Sequence, residues 1–445
     1  MEIIVIGAGI AGLVAASELA RAGIKPIVID ARDRIGGRIY TIHDEKAHAP
    51  IELGAEFVHG HPPEIFQAVK AAKIEIAETG GNSWYLAQHR GLTPIDDEPP
   101  GSKDDIWKRI ERYCKEASQD ISLETFLQLP ESVSIGPEER DSLKRYVAGF
   151  HAAEIDKVGI RGLVKTMEAE EAIGGIRGFR IPVGYDRLSE YYYEAAKNGG
   201  ASFLFNKKVT AINWGAGTVK VTVLSSTGIT ETTSGQAAIV ALPVGVLKSE
   251  PDSASYVRFE PKLDSKTEAL SKIEMGDARR VIFAFRSKWW NEILTGTSQR
   301  KAKLGFLFAQ GVPISVWWSS EPMEAPLLTG WVGGRNAMEL AKLGNDAVID
   351  QAIDSLNRIF QAGRGQIEDE IISVHTYDWL HDPLSRGAYT YLGVGGVNAP
   401  RELAENIGNT LYFAGEATSY EGHWGTVHGA IASGVRAARE AISAL

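Results

Sequence analysis

The sequence predicts an α/β chain, α+β overall, in which one domain is assembled from separated segments and a second, of mixed sheet plus helices, is inserted between them. Three observations predict it. A strand–helix–strand unit fills the first 30 residues. A second glycine-rich strand–loop–helix block closes the chain at 410–443. Between them lie a helical stretch and a long β-rich stretch that resemble neither end. The expected boundaries are 1–80, 195–268 and 383–445 for the first domain, and 81–194 and 269–382 for the second.

Residues 3–7 are an unbroken apolar run, which is how a strand buried on both faces reads. Residues 11–22 carry Leu13, Leu19 and several alanines, a close-packing helix face. Residues 26–30 are a second apolar strand ending in Asp30. Residues 51–60 are expected to be a loop, with Gly54 inside and Gly60 at the end. Helices are expected across 103–150, broken near Pro130 and Pro137. Strands are expected at 203–205, 208–213, 218–224, 237–242, 279–286 and 314–318, and a helix at 346–361. The end block reads as strand 410–414 and helix 426–443.

Composition excludes several classes. The 445 residues are 44% apolar and 23% charged, a globular balance, so disorder is not the main state. Lys and Arg total 47 against 57 Asp and Glu, a formal charge of −10, which argues against nucleic acid or anionic membrane as a partner. The one cysteine, Cys114, cannot supply an internal disulfide, a cysteine zinc site or an iron–sulfur cluster, and no metal site is expected. The longest apolar stretches, 3–16 and 237–247, fall short of a membrane span, and no basic leader is visible. A soluble, cytoplasmic protein is expected. Oligomeric state is not legible.

Gly7, Gly9 and Gly12, with Ala8, Ile10 and Ala11 between them, form G-x-G-x-x-G between a strand and a helix. That context makes the pattern a Rossmann-like dinucleotide fingerprint: the glycines let the backbone approach a pyrophosphate, and the helix N-terminus offers free N–H groups. Asp30, at the end of the second strand, is placed to hold ribose hydroxyls. Ala31, Arg32, Gly36, Gly37 and Arg38 follow, a glycine loop with cations that could reach a pyrophosphate.

The run from Asp30, Ala31 and Arg32 to Gly37 and Arg38 closely resembles the extended second motif of the flavin-containing amine oxidase family. Further motifs carry the resemblance. Residues 51–60, with Gly54, Ala55, Glu56 and Phe57, look like the family's flavin-side loop. Val209 lies in a segment similar to its adenine-contacting strand. Residues 241–247 are similar to its Pro-Leu-Gly-Val-Leu signature. Trp379, Asp382, Pro383, Gly387 and Tyr389 match W-x-x-D-P-x-x-x-G-x-Y. Gly415, Glu416, Gly425, Thr426, Val427 and His428 match its closing motif. The resemblance runs from residue 3 to 443 and is thin across 85–175. It implies FAD, with Glu416 near the ribityl chain and the N–H groups around Thr426 and Val427 facing an isoalloxazine carbonyl. Ala388 stands where monoamine oxidases carry the flavin-bonding cysteine, so the resemblance implies noncovalent FAD.

The resemblance also implies oxidation of a small-molecule amine, with hydride passing from the α-carbon to flavin N5 and O2 reduced to H2O2. The amine must be neutral, since its lone pair stabilises the growing charge, and aromatic walls suit that charge. Tyr389 matches one wall of the aromatic cage. Thr426 stands at the opposite wall, where Trp424 could close the gap. His59 matches a histidine placed near substrate in animal polyamine oxidases, where a neutral or charged imidazole could sense amine charge. Glu56 could hold a substrate ammonium or a ribityl hydroxyl. Arg280 departs from the family's lysine, which is linked through water to N5. Arginine cannot shed its proton and is bulkier, so a related dehydrogenase or desaturase with another acceptor remains an alternative, as does a flavoprotein without turnover. Of the neighbours Trp317 and Trp318, at most one can face a given cavity. Core packing is expected for each of them and for Trp331.

Overall fold

The apolar strand Ile3–Ile6 lies at the centre of a five-stranded sheet, ordered Ser202–Leu204, Ile27–Ile29, Ile3–Ile6, Ala237–Val240 and Leu411–Phe413. All four pairings are parallel. The computed structural model describes residues 2–87, 91–95, 102–132, 135–298 and 301–444. The central strand buries both faces: Ile3 and Val5 pack under the helices, Ile4 and Ile6 against a second sheet. On the helix side sit Ile10–Arg21, Asp186–Asn198 and Val427–Ser443. On the other side is a four-stranded sheet ordered Thr230–Gly235, Thr218–Ser225, Lys207–Gly215 and Arg258–Glu260.

A separate seven-stranded mixed sheet runs in the order Ile371–Asp378, Ala278–Phe285, Leu327–Gly333, Val316–Ser319, Leu304–Ala309, Asn82–Ala87 and Gly91–Pro94. One face, with Val281, Phe283, Phe285 and Trp317, packs on the helices Trp290–Ser298 and Asn345–Phe360. The other face carries Arg280 and Trp318 towards a cavity. Helices Ser102–Glu116, Leu123–Gln128, Pro137–Phe150 and Ile160–Ala172 share a separate apolar cluster. No helix among the described residues is long and apolar enough to cross a membrane.

The expected α/β class holds, and most expected elements match to within two or three residues. Three differences have physical causes. The apolar run at 237–242 ends as a strand at Val240, because Pro243 caps a short helix, Val244–Leu247. Thr230–Gly235 is a strand without apolar alternation: it is a sheet edge whose side chains are mostly exposed. Residues 51–60 are not all loop. Ile51–Glu52 pairs with Thr41–Ile42, and Val58–His59 pairs with Gly178–Arg180, a partner too distant for local patterning to reveal.

The fingerprint glycines divide into two kinds. A Cβ on Gly12 would lie 1.9 Å from the Gly7 carbonyl oxygen, and Gly7 itself has φ +106°. A Cβ on Gly9 would meet nothing within 4 Å. In urea denaturation, Gly12→Ala is therefore expected to lose about 3 kcal/mol or more. Gly9→Ala is expected to lose about 1 kcal/mol or less, the cost of alanine at a helix N-cap. Equal losses would contradict the assignment.

Candidate active site

One cavity of about 2880 Å³ extends from the amino-terminal glycines to the face of the seven-stranded sheet. That exceeds the ~300–1,000 Å³ of a single drug-sized site, leaving room for a dinucleotide and a second molecule. Gly7, Gly9, Ile10, Ala11, Asp30, Ala31, Arg32, Gly37, Arg38, Gly54, Ala55, Glu56, Phe57, His59, Val209, Arg280, Tyr389, Gly415, Glu416, Trp424, Thr426 and Val427 all line it. Gly12 does not; it sits behind the loop against Gly7.

At the glycine end, Asp30 accepts the Ala8 N–H at 2.6 Å and the Arg32 N–H at 2.8 Å, one on each carboxylate oxygen. Burial pushes its pKa up, opposed by those two bonds. Gly9 caps the twelve-residue helix Ile10–Arg21 without any side-chain bond, so the first N–H groups stay available beside the cavity. The open space at Gly9 is the space a pyrophosphate takes when the backbone cradles it. The residues present thus fit a bound dinucleotide.

The cations of the second motif are committed to the protein. Arg32 donates to both oxygens of Asp382, at 3.0 and 2.8 Å, and to Ser385. This corrects the expectation that its fork is free for phosphate. Arg38 donates to Glu416 at 2.8 Å and to the Ala388 carbonyl at 3.0 Å. The other oxygen of Glu416 accepts from the Gly425 N–H at 2.8 Å and from the Thr390 hydroxyl. Glu416 therefore ties the closing motif to the second motif. Thr426 caps the helix Val427–Ser443, its hydroxyl accepting from the Gly429 N–H at 3.0 Å.

At the far end the walls are aromatic. The Tyr389 hydroxyl donates to the Phe150 carbonyl at 2.7 Å, fixing the ring, and burial pushes its pKa up. Trp424 is 5% exposed and also packs with Val244 and Leu392. His59 lies edge-on to Phe150, centroids 5.2 Å apart. Burial holds its pKa down to about 4, so of the two forms left open the neutral imidazole is the one present near pH 7. Trp318 and Trp331 both line the cavity, which corrects the core expectation for them; Trp317, on the opposite face, is a core residue.

Glu56 is not free for a substrate ammonium. One oxygen accepts from Arg180 and from the Trp318 Nε1 at 2.9 Å, and the other lies 3.2 Å from Arg280. Two guanidiniums already neutralise it. Arg280 also donates to the Glu52 carbonyl and is flanked by the Trp318 and Trp331 rings, at 5.5 and 5.3 Å. Arg279 turns the other way, to Asp378 at 2.9 Å. The neighbouring arginines are therefore not equivalent: only Arg280 lines the cavity.

Sequence reading missed Arg180 and Glu170. Arg180 has no motif spacing; only its strand pairing brings it to Glu56. Glu170, on the helix Ile160–Ala172, also lines the cavity, and burial pushes its pKa up to about 7. Among the described residues no cation opposes that shift, and no group of three or more His, Cys, Asp or Glu is placed to hold a metal ion.

Comparison with known proteins agrees with this geometry. The family described as flavin containing amine oxidoreductase matches residues 10–442. The chain is 28% identical to lysine-specific histone demethylase 1 homolog 2 of Oryza sativa subsp. japonica, across all of this chain and 57% of that protein. It is 28% identical to polyamine oxidase 3 of the same rice, across 98% of this chain and 88% of that one. The chain thus spans little more than half of the first relative's length. Cyclohexylamine oxidase from Brevibacterium oxydans IH-35A shares the fold, with TM-score 0.80 at 20% identity over 100% of this chain and 99% of that one. The chain belongs to the flavin-containing amine oxidoreductase family.

Proposed function

We propose that the chain is an FAD-dependent amine oxidase that holds its cofactor noncovalently. The observation that carries this reading is the single cavity joining the glycine fingerprint to an aromatic chamber. On this reading residues 1–80, 195–268 and 383–445 hold FAD, and 81–194 and 269–382 hold the amine. Gly7, Gly9, Ile10, Ala11 and Gly12 serve the diphosphate, Asp30 and Ala31 the ribose, and Val209 the adenine. Arg38, Gly54, Ala55, Phe57, Gly415, Glu416, Thr426 and Val427 serve the flavin half. Ala388 beside the cavity offers no thiol, and Cys114 packs in a helical cluster with its pKa raised by burial to about 11.

When bound, the flavin supplies the acceptor for the two electrons and one proton that leave the amine carbon, with O2 as final acceptor giving H2O2. The protein's work is to hold a neutral amine and exclude water. Tyr389 and Trp424 line the chamber, and the neutral His59 adds no repelling charge. The imine product hydrolyses to an aldehyde or ketone.

Glu170 points to an amine with a second cationic group. Glu170 lines the cavity, and burial raises its pKa with no cation among the described residues to oppose the shift. Its raised pKa means it is ionised above about pH 7 and neutral below. A second ammonium would therefore be held better as pH rises through 7.

A second reading, a related dehydrogenase or desaturase with another acceptor, draws on Arg280, whose guanidinium is locked against Glu56.

Three measurements test these readings. A panel of mono-, di- and polyamines is expected to bleach the yellow flavin without air, and to release peroxide in air. Bleaching without peroxide supports the second reading; no bleaching by any amine overturns both amine readings. Arg280→Lys is expected to raise the rate of flavin reoxidation by O2 about tenfold, or 1.4 kcal/mol of barrier; an unchanged rate removes Arg280 from the oxygen reaction. Glu170→Gln is expected to raise KM for di- and polyamines about tenfold at pH 8, with monoamines unaffected and the difference vanishing near pH 6. A uniform KM change would sink the Glu170 assignment.

A further inference from the structure

Two imidazoles without a role so far stand in series across the cavity wall. His428 is the second residue of the helix Val427–Ser443, is 5% exposed and lines the cavity. His423 lies on the segment leading into that helix, half-buried, next but one to the exposed Glu421. His428 Nε2 and His423 Nδ1 are 3.1 Å apart, with ring centroids at 4.6 Å and planes at 71°. Nitrogens at that distance share one proton: one ring donates and the other accepts.

The backbone enforces this contact. The Thr426 hydroxyl donates to the His423 carbonyl at 2.7 Å and accepts from the Gly429 N–H at 3.0 Å. A Cβ on Gly429 would lie 2.0 Å from the His423 carbonyl oxygen. Only glycine lets the helix press against the loop this closely.

The charges around the pair differ from inside to outside. Burial drives the His428 pKa down to about 3, with the nearby imidazoles of His423 and His59 pushing the same way. Burial lowers His423 too, but Glu64 and Glu421 oppose it there. A proton is therefore tolerated better on the outer ring than on the inner one, and an imidazole that accepts at one nitrogen while releasing from the other never needs to hold a full charge inside.

We propose that His428 and His423 form a relay carrying the proton of an incoming substrate ammonium from the cavity to solvent. The proposal rests on the amine oxidase reading. An amine arrives as R–CH2–NH3⁺ and must become R–CH2–NH2 before its C–H bond breaks. His428 takes that proton at Nδ1 and releases the one on Nε2 to His423 Nδ1, and His423 releases its Nε2 proton to water. Both rings end in the opposite tautomer. Reduction of O2 to H2O2 takes two protons: one travelled with the electrons from the substrate carbon, and the other returns along the pair, restoring both tautomers. The relay residues position and move protons; neither exchanges electrons.

Two experiments on the FAD-loaded protein test it. In the resting enzyme, histidine C2–H exchange followed by mass spectrometry reads each imidazole's titration. His428→Asn is expected to shift the His423 titration, and an unmoved titration overturns the relay. In anaerobic stopped-flow reduction by an amine, His423→Asn is expected to slow flavin reduction about tenfold or more where the amine arrives protonated. The loss should shrink at high pH, a solvent deuterium effect should appear, and added imidazole should restore the rate. A loss that is the same at every pH and not rescued by imidazole means a structural role and overturns the proposal. If the unmodified protein is reduced by no amine, the amine reading fails, and the resting titration alone then decides whether the two rings are coupled.

Discussion

A carboxylate or guanidinium taken out of water is costly unless an opposite charge and hydrogen bonds receive it. The walls of this cavity meet that constraint three times, always between distant parts of the chain. Arg38 meets Glu416 across 378 positions. Arg32 meets Asp382 across 350. Arg180 meets Glu56 across 124, with Arg280 on the remaining oxygen. Removing either partner of such a pair leaves a buried charge alone, so the pairs specify which segments adjoin even where their net stabilisation is small. The first pair joins both glycine-rich motifs. The second joins the loop that follows the strand Ile27–Ile29 to the segment that carries Tyr389. The third joins the short strands at 58–59 and 178–180 to the seven-stranded sheet.

At the aromatic end of the cavity the wall charges are paired with one another, whereas Glu170, on the helix Ile160–Ala172, lines the cavity without a cation among the described residues beside it. Behind the wall, Glu52, whose carbonyl accepts from Arg280, accepts at its carboxylate from the Tyr185 N–H and the Thr41 hydroxyl, each at 2.7 Å, and burial still drives its pKa up to about 8. It therefore keeps its proton at neutral pH. His59 and Tyr389 are neutral there too. On the amine oxidase reading, neutral groups at this end favour an uncharged amine over the ammonium that predominates in water. The chemistry then depends on where the ammonium proton goes, which makes imidazoles reaching from the cavity towards solvent part of the same constraint.

The sequence was most informative where chemistry demands a local pattern. The fingerprint glycines, Asp30 and the closing motif are read from local patterns, and Gly9, Asp30, Thr426 and Tyr389 all line the cavity. It was least informative where a role depends on a partner far along the chain. Arg32 reads as able to reach a pyrophosphate until Asp382 is seen beside it, and Glu56 reads as holding either a substrate ammonium or a ribityl hydroxyl until Arg180 and Arg280 are seen around it. Alternation gave opposite faces to Trp317 and Trp318, but which face met a cavity depended on sheet order. Thr230–Gly235 escaped for a different reason: an exposed edge strand needs no apolar pattern.

The two helix N-termini at the cavity arise from one packing device used twice. Gly12 lets the helix Ile10–Arg21 fold onto the carbonyl of Gly7, where a Cβ would sit 1.9 Å away. Gly429 lets Val427–Ser443 fold onto the carbonyl of His423, at 2.0 Å. A third glycine links them: a Cβ on Gly434 would lie 2.4 Å from the Ala11 carbonyl oxygen, so the middle of Val427–Ser443 meets the first turn of Ile10–Arg21 backbone to backbone. Both helices open beside the same cavity. Each presents unpaired N–H groups and the positive end of its dipole. One end suits a diphosphate, the other a carbonyl that gains negative charge. The fixed contact between these helices therefore sets the distance between the two anion-favouring ends, and so the length of the ligand that can satisfy both.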